Sequence, residues 1–453
     1  MKSIKEKRDG FSGMFGVLAA TISSAVGLGN IWRFPYLVGQ NGGAAFIIVY
    51  LLFALCLCTP MLIAEFVMGK KGQGAAYKAF INVSGKKRWG LMGIFAMVGC
   101  FIILGYYDVV GGWTIKYLID SLMLNYRQGM EIDSAAVFAD FSQSAIAPLA
   151  YCLVFMVAMA VIIIAGVRNG VEKSAKIMMP TLFVLVVLVA IRSITLPGAG
   201  EGLKYMFKPD FSLITPNVAL KALGQAFLSL SIGVGMMVTY GYYTPPSKNL
   251  LQSGITTSVC DVIFAILAGC AVMPAVFAFG VNPSEGAGLI FVTLPQIFVK
   301  MPLGGLFSIL FFFTVFLAAL TSAVSMLEMI TSSLLGMTRW SRKKATIIAL
   351  SLIFMISIPC SLALGRLSGV TITGRNLFDF CDYISANVIL IVCSFFTVLC
   401  VGWKIKKEEF NDLVGGSFRD KTPKWLVNVV YYTIKWAAPL VILAIVLTSI
   451  LLK

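Results

Sequence analysis

The chain has no histidine, and only 12% of its 453 residues are charged. The missing histidine excludes an imidazole proton relay and any histidine-ligated metal. The charged fraction is about half of what a soluble globular domain carries. With 59% hydrophobic residues, the composition is that of a chain threaded repeatedly through a bilayer. The ten cysteines include no CxxC pair and are scattered through apolar stretches. That predicts buried free thiols rather than a disulfide framework or a zinc site. No Walker sequence, Gly-rich nucleotide loop or hydrolase constellation is present, so the residues give no enzyme. The first apolar segment follows Lys2, Lys5, Lys7 and Arg8. It is too long for a secretory signal peptide and lacks a cleavage-like end.

A net charge of +16 raises the question of nucleic acid. The Lys and Arg residues sit in short loops between apolar runs, as topogenic charges do, so the expected surrounding is a lipid bilayer. Stretches of about 20 apolar residues, enough to cross hydrocarbon, recur roughly eleven times. Their approximate limits are 11–38, 43–69, 89–124, 146–166, 171–194, 217–243, 252–281, 303–336, 343–363, 373–403 and 425–452. Several exceed a minimal span, which predicts tilt or extension beyond the bilayer. One set of alternate loops holds Lys2 to Arg8, Lys70 to Arg88, Arg168 to Lys176, Lys248, Arg339 to Lys344, and Lys404 to Lys424. The other is poor in Lys and Arg and includes Glu131, Asp133, Asp140 and Glu285. The basic set is expected on the cytoplasmic side of the cell membrane. The N-terminus is then inside and, after eleven crossings, Lys453 is outside.

Two spans are interrupted. The first contains Ala25-Val26-Gly27-Leu28-Gly29-Asn30-Ile31-Trp32-Arg33-Phe34-Pro35. Gly and Pro weaken helices, and an Arg inside an apolar span is costly unless paired. The sixth contains Gly224-Gln225-Ala226-Phe227-Leu228-Ser229-Leu230-Ser231-Ile232-Gly233-Val234-Gly235. Unwound backbone is tolerated in a membrane only where it faces protein or a water-filled cavity. Breaks five spans apart predict an all-α membrane protein with an inverted five-plus-five repeat, discontinuous in helices 1 and 6. The single polytopic domain would run 1–453, with a first repeat at about 11–194, a second at about 217–403, and an extra helix at about 425–452.

These residues resemble a known family. Ala25 to Pro35, followed by Asn41-Gly42-Gly43-Ala44-Ala45-Phe46, is similar to the first-span signature of the neurotransmitter:sodium symporters. Further matches are Pro60-Met61-Leu62-Ile63-Ala64-Glu65, Tyr106-Tyr107, Gly170-Val171-Glu172-Lys173, Lys176-Ile177-Met178-Met179-Pro180-Thr181, the sixth-span break and Ala318-Ala319-Leu320-Thr321-Ser322. They run along nearly the whole chain. Eleven spans rather than twelve resemble a bacterial amino-acid transporter subgroup that lacks the last helix.

The resemblance implies a composite site. Backbone N–H groups at Gly27, Leu28 and Gly29, with the dipole of the half-helix behind them, would meet a substrate carboxylate. Tyr107 would donate its hydroxyl to the same group. Monoamine members of the family carry Asp at the position of Gly27, so Gly favours an amino acid that brings its own carboxylate. The first sodium would take the Ala25 carbonyl, Asn30, Ser229, Asp261 and the substrate carboxylate; the second, the Ser23, Val26 and Ala318 carbonyls with Thr321 and Ser322. Hard cations take such oxygen sets. Many members have Asn at the position of Asp261 and need chloride nearby, lined by residues matching Tyr50, Gln225 and Ser229. A fixed carboxylate at Asp261 replaces that anion, so no chloride requirement is expected. The pocket would be lined by Ser24, Ala25, Ile103, Tyr107, Leu228, Ser229, Ser231, Val234, Ser322 and Met326. Leu228 and Val234 stand where Phe occurs in the family, and Met adapts its shape. A large hydrophobic or aromatic amino acid is therefore expected.

Arg33 and Asp382 resemble the outer gate, a charge contact that closes the extracellular path. Asp379 is three residues before Asp382 and could share its helix face. Arg8 matches the inner-gate arginine, but its usual acidic partner is replaced by Gly336; Glu65, Glu172, Asp9 and Tyr243 are the alternatives. Glu328 is read as either a buried acid of the inner pathway or a residue bonded locally to backbone or Tyr. Asp108 points to another face than Tyr107, as a structural or outward-facing residue. The function implied is inward amino-acid transport coupled to sodium. The alternatives are a sodium-independent or proton-coupled carrier of the same fold, a channel, and a substrate-binding membrane sensor. The oligomeric state is left open.

Overall fold

A computed structural model supplies the fold and describes residues 10–280, 289–416 and 422–451. Arg8, Asp9 and the lysines before them, Glu285 and Lys453 lie outside the described residues. Apolar runs with no water to bond to must satisfy their backbone internally, and they do so as helices. Nine uninterrupted helical segments among the described residues are long and apolar enough to cross a membrane. In chain order they are Ala44–Gly72, Lys87–Leu122, Ala147–Ile164, Val167–Ile194, Leu250–Ala278, Gly304–Met337, Arg342–Leu362, Leu377–Lys404 and Lys424–Ala444. The first crossing is a bent pair, Met14–Ala25 and Gly29–Gln40, angled by 45°. Pro216–Ser229 and Met236–Tyr243 form a second interrupted pair, separated by residues 230–235. The nine and the bent pair make up to ten candidate crossings among the described residues, and the second interrupted pair occupies the place of the sixth span expected from the sequence.

Burial sorts the spans. The seventh and eighth have 72% of their apolar window buried, whereas the fourth has 33%. The former are therefore central and the latter peripheral. The eighth span is 34 residues long, or about 50 Å at 1.5 Å per residue, so it must tilt or project. It packs along the third, and the inner half of the sixth packs on the second. Short helices cover one end of the bundle: Ser134–Gln143, Ala199–Phe207 and Ile290–Lys300, beside a hairpin pairing Thr371–Ile372 with Arg375–Asn376. Ala76–Ser84 and Lys407–Gly415 lie at the other end.

The breaks have different local chemistry. At the first, Val26 is extended, with φ −78° and ψ 101°, and the chain resumes as a wide π-helical turn at Gly29–Arg33. At the sixth, Ser231, Gly233 and Gly235 have φ of 56°, 88° and 80°, the left-handed region that glycine enters at no steric cost. A Cβ on Gly233 would also run into the Leu390 carbonyl. All ten cysteines are free, and seven are buried as expected; Cys56 is exposed, while Cys260 and Cys381 are partly so. Cys56 departs from the expectation because it lies on the second span's outward flank beside exposed Leu55.

Candidate functional site

The backbone freed at the two breaks is bonded by side chains from other spans. Leu28 N–H donates to the Tyr107 hydroxyl at 3.4 Å, and Gly27 N–H to Asn30 Oδ1 at 3.1 Å. The Ser24 carbonyl accepts from Ser231 Oγ at 3.1 Å and Ser322 Oγ at 3.2 Å. Gln225 Nε2 donates to the Gly29 carbonyl at 2.8 Å. Across the bundle, Gly233 N–H donates to Glu65 Oε1 at 2.6 Å. Spans two, three, six and eight therefore hold the breaks open where unpaired groups would otherwise be costly.

A polar cluster forms where these spans converge. Asn30 Nδ2 donates to Ser229 Oγ at 2.9 Å and to Asp261 Oδ1 at 2.7 Å. Ser229 Oγ lies 3.0 and 2.9 Å from the two Asp261 oxygens, and Tyr50 donates to Oδ2 at 3.3 Å. Asp261 is fully buried, and no Lys or Arg pairs with it among the described residues. A buried carboxylate with hydroxyl and amide oxygens around it and no protein cation is suited to a hard cation. Beside it, Thr321 Oγ1 lies 3.4 Å from the Val26 carbonyl and 3.0 Å from that of Ala318. Ser23 Oγ has no hydrogen-bond partner among the described residues, and Ser322 turns to Ser24 instead. Of the expected oxygen sets, Asn30, Ser229 and Asp261 are in contact in one cluster and Val26, Ala318 and Thr321 in the other.

A cavity of about 160 Å³ opens above them. Ala25, Gly27, Leu28, Gly29, Ile103, Tyr107, Leu228, Ser231, Val234, Ser322 and Met326 line it, as expected. Ser24 and Ser229 do not; Ser24 Oγ points to Met236 Sδ at 3.6 Å, and Ser229 is held in the polar cluster. The cavity continues to Arg33, Asp379 and Asp382, so the two carboxylates share a face as their spacing requires. No ion pair within 4 Å joins Arg33 to Asp382 among the described residues, and Arg33 Nε and Nη1 have no hydrogen-bond partner there. The expected gate pair is thus not in direct contact. Trp32, Tyr36, Tyr106, Met236, Phe378 and Leu390 also line the cavity and were not anticipated. Phe378 could have been found, since it stands four residues before Asp382 on one helix face.

A family model for the sodium:neurotransmitter symporter family matches residues 8–129 and 136–453. The chain belongs to this family. An uncharacterized sodium-dependent transporter of Bacillus subtilis, YhdH, is 37% identical over 436 residues, covering 96% of each chain. One of Haemophilus influenzae is 33% identical over 461 residues, covering 99% of this chain and 100% of that one. The crystal structure of MhsT in complex with L-phenylalanine superposes with a TM-score of 0.90 at 38% identity, covering 97% of this chain and 99% of that chain. The protein is therefore a multi-pass sodium-coupled symporter and not an enzyme.

Elsewhere in this symporter a second buried polar cluster forms, which the sequence only partly suggests. Glu328 is fully buried and takes both guanidinium nitrogens of Arg342 at 2.8–3.1 Å. It also accepts from the Tyr243 hydroxyl at 2.5 Å. The Tyr243 carbonyl accepts from Phe11 N–H at 3.1 Å, and the Phe11 ring packs on Tyr240 and Tyr243. Arg342 opens the ninth span, and among Arg339, Lys343 and Lys344 it reads in the sequence as one more topogenic charge. Glu65 is engaged at the sixth-span break, and Glu172 is taken by Ser12 and Lys176. Asp108 is not outward-facing: it is fully buried, and neither carboxyl oxygen has a partner among the described residues. Its helix face packs on neighbouring spans rather than on the cavity, as the position after Tyr107 requires.

Proposed function

We propose that the protein imports a large hydrophobic or aromatic amino acid together with sodium, by alternating access and without chloride. One observation carries the reading: the interrupted first and sixth spans meet at a single cavity beside a buried Asp261 that no Lys or Arg neutralises among the described residues. The substrate carboxylate would lie against Gly27, Leu28 and Gly29, where the Tyr107 hydroxyl is already in reach of Leu28 N–H. There it would complete the first cation site with Ala25, Asn30, Ser229 and Asp261. The second cation would sit among Ser23, Val26, Ala318, Thr321 and Ser322. Ile103, Val234, Met326 and Leu228 supply the apolar wall, and the L-phenylalanine bound to MhsT supports a side chain of that size. The carboxylate of Asp261 supplies the negative charge that chloride would otherwise bring.

Sodium and substrate together would draw the first and sixth spans onto the cavity. Arg33 and Asp382 would then meet above it, and the contacts of Phe11, Tyr243 and Glu328 would part below. Ligands shift such an equilibrium only by binding one state better than the other. The basic loops support an N-terminus on the cytoplasmic side of the cell membrane, which makes the transport inward. Uptake of labelled amino acids into proteoliposomes tests the reading. Tyrosine, tryptophan or phenylalanine should be taken up on a sodium gradient, unchanged when chloride is replaced by gluconate. Uptake that survives replacement of sodium by choline, or a preference for Gly or Ala, overturns it.

A further inference from the structure

We propose that the flank between the tenth and eleventh spans binds an anionic phospholipid through Lys435. The two helices approach closely here: a Cβ on Gly402 would come within 2.8 Å of Lys435 Cα. The eleventh span opens into a π-helical turn at Thr433–Ala437, and Trp403 Nε1 donates to the Lys435 carbonyl at 3.3 Å. The ammonium is turned into an aromatic cage. It stands 5.6 Å from the Trp403 ring, 5.7 Å from Tyr431 and 5.9 Å from Trp436, within the range of cation–π attraction. No carboxylate lies within 4 Å of it among the described residues.

A second cation stands over a ring that packs on the cage. The Lys407 ammonium is 5.0 Å over Tyr432, which packs edge-on against Tyr431. Lys404, Lys406 and Lys407 mark the point where the tenth span ends. Of the nearby acids, Glu409 is taken by Lys71 and Glu408 directly follows Lys407. The local balance stays positive.

The open side of the cage faces away from the protein. Trp403, Tyr432 and Trp436 are each about half exposed, and Leu440 and Leu443, four and seven residues past Trp436, continue the exposed stripe. Residues at that spacing share one helix face. Trp and Tyr with lysines at the end of a span mark the depth of lipid headgroups, and an apolar stripe running inward from them suits an acyl chain. A basic pocket between two spans at this depth recruits anionic headgroups. A zwitterionic lipid brings its own cation to the same place and gains less. A phosphodiester held between Lys435 and Lys407 would tie the last span to the tenth.

Native mass spectrometry of the purified full-length transporter, titrated with phosphatidylglycerol or phosphatidylcholine, tests this. Phosphatidylglycerol should be retained in preference. Lys435→Gln should weaken its tightest binding about fivefold, the worth of one lysine at an anionic surface. Lys407→Gln should act likewise and gives the same reading if the first variant does not fold. Lys435→Arg should retain the lipid, and Lys86→Gln, in an exposed loop elsewhere, should leave binding unchanged. Equal affinity for both lipids, or phosphatidylglycerol binding indifferent to Lys435→Gln and Lys407→Gln, overturns the proposal.

Discussion

Tyr243→Phe removes one hydroxyl and preserves the ring. That hydroxyl joins the inner half of the sixth span to Glu328 of the eighth at 2.5 Å. Glu328 keeps both Arg342 nitrogens, so the substitution leaves no bare buried charge and the fold should survive it. A hydrogen bond to a charged group is worth about 1.5–3 kcal/mol net. If the bond exists only while the inner side is closed, its loss favours the inner-open state by roughly 10- to 150-fold. Ser325 is a suitable reporter, being 2% exposed beneath the cavity and bonded to the Tyr240 hydroxyl at 2.7 Å. Ser325→Cys would be introduced where Cys56, Cys260 and Cys381 have been replaced. Maleimide labelling, followed with and without Tyr243→Phe, should be faster with the substitution, approaching that factor where the closed state dominates. An unchanged labelling rate refutes the reasoning, because the bond would then not distinguish the two states.

Arg342→Ala acts on the same cluster differently. It strands a fully buried carboxylate, which costs about 3–5 kcal/mol; because the Arg342 side chain is 17% exposed, the lower end is expected. The melting temperature in detergent should fall, and Arg342→Ala combined with Glu328→Gln should recover part of the loss. Gly27→Ala places a methyl onto Ser322 Oγ and 3.4 Å from the Tyr107 hydroxyl. Overpacking of this kind costs about 1–3 kcal/mol, so substrate affinity by equilibrium binding should drop, and Ser322→Ala should restore some of it. Asp261→Asn removes the fixed negative charge while keeping the side chain's size. Sodium-driven uptake should then require external chloride, and uptake indifferent to chloride would count against the charge-balance argument.

The spans were legible in the sequence because hydropathy is local and a bilayer fixes its length scale. The breaks were legible because Gly, Asn, Arg and Pro are conspicuous inside an apolar run. What closes around the breaks was less so. Gly233 shows in the sequence as a glycine, but that its N–H is taken by Glu65, 168 residues away, depends on how the second span lies across the sixth. Glu328 could be read as a buried acid or a local bond. The structure gives it Tyr243 from another span and Arg342 from the neighbouring one, and the basic residues around Arg342 concealed that role.

Asp261 and Asp108 show why residue type alone cannot assign a site. Both are acids in apolar helices, both are fully buried, and neither pairs with Lys or Arg among the described residues. Asp261 meets Asn30, Ser229 and Tyr50 from three other spans, at the point where broken backbone brings further oxygens. Asp108 lies on continuous helix, and neither of its oxygens has a partner among the described residues. A cation needs several oxygens at once, and only the first arrangement gathers them. The decisive signal is therefore neither acid in itself. It is the coincidence of an uncompensated carboxylate with two helix breaks, assembled from residues as far as 231 positions apart.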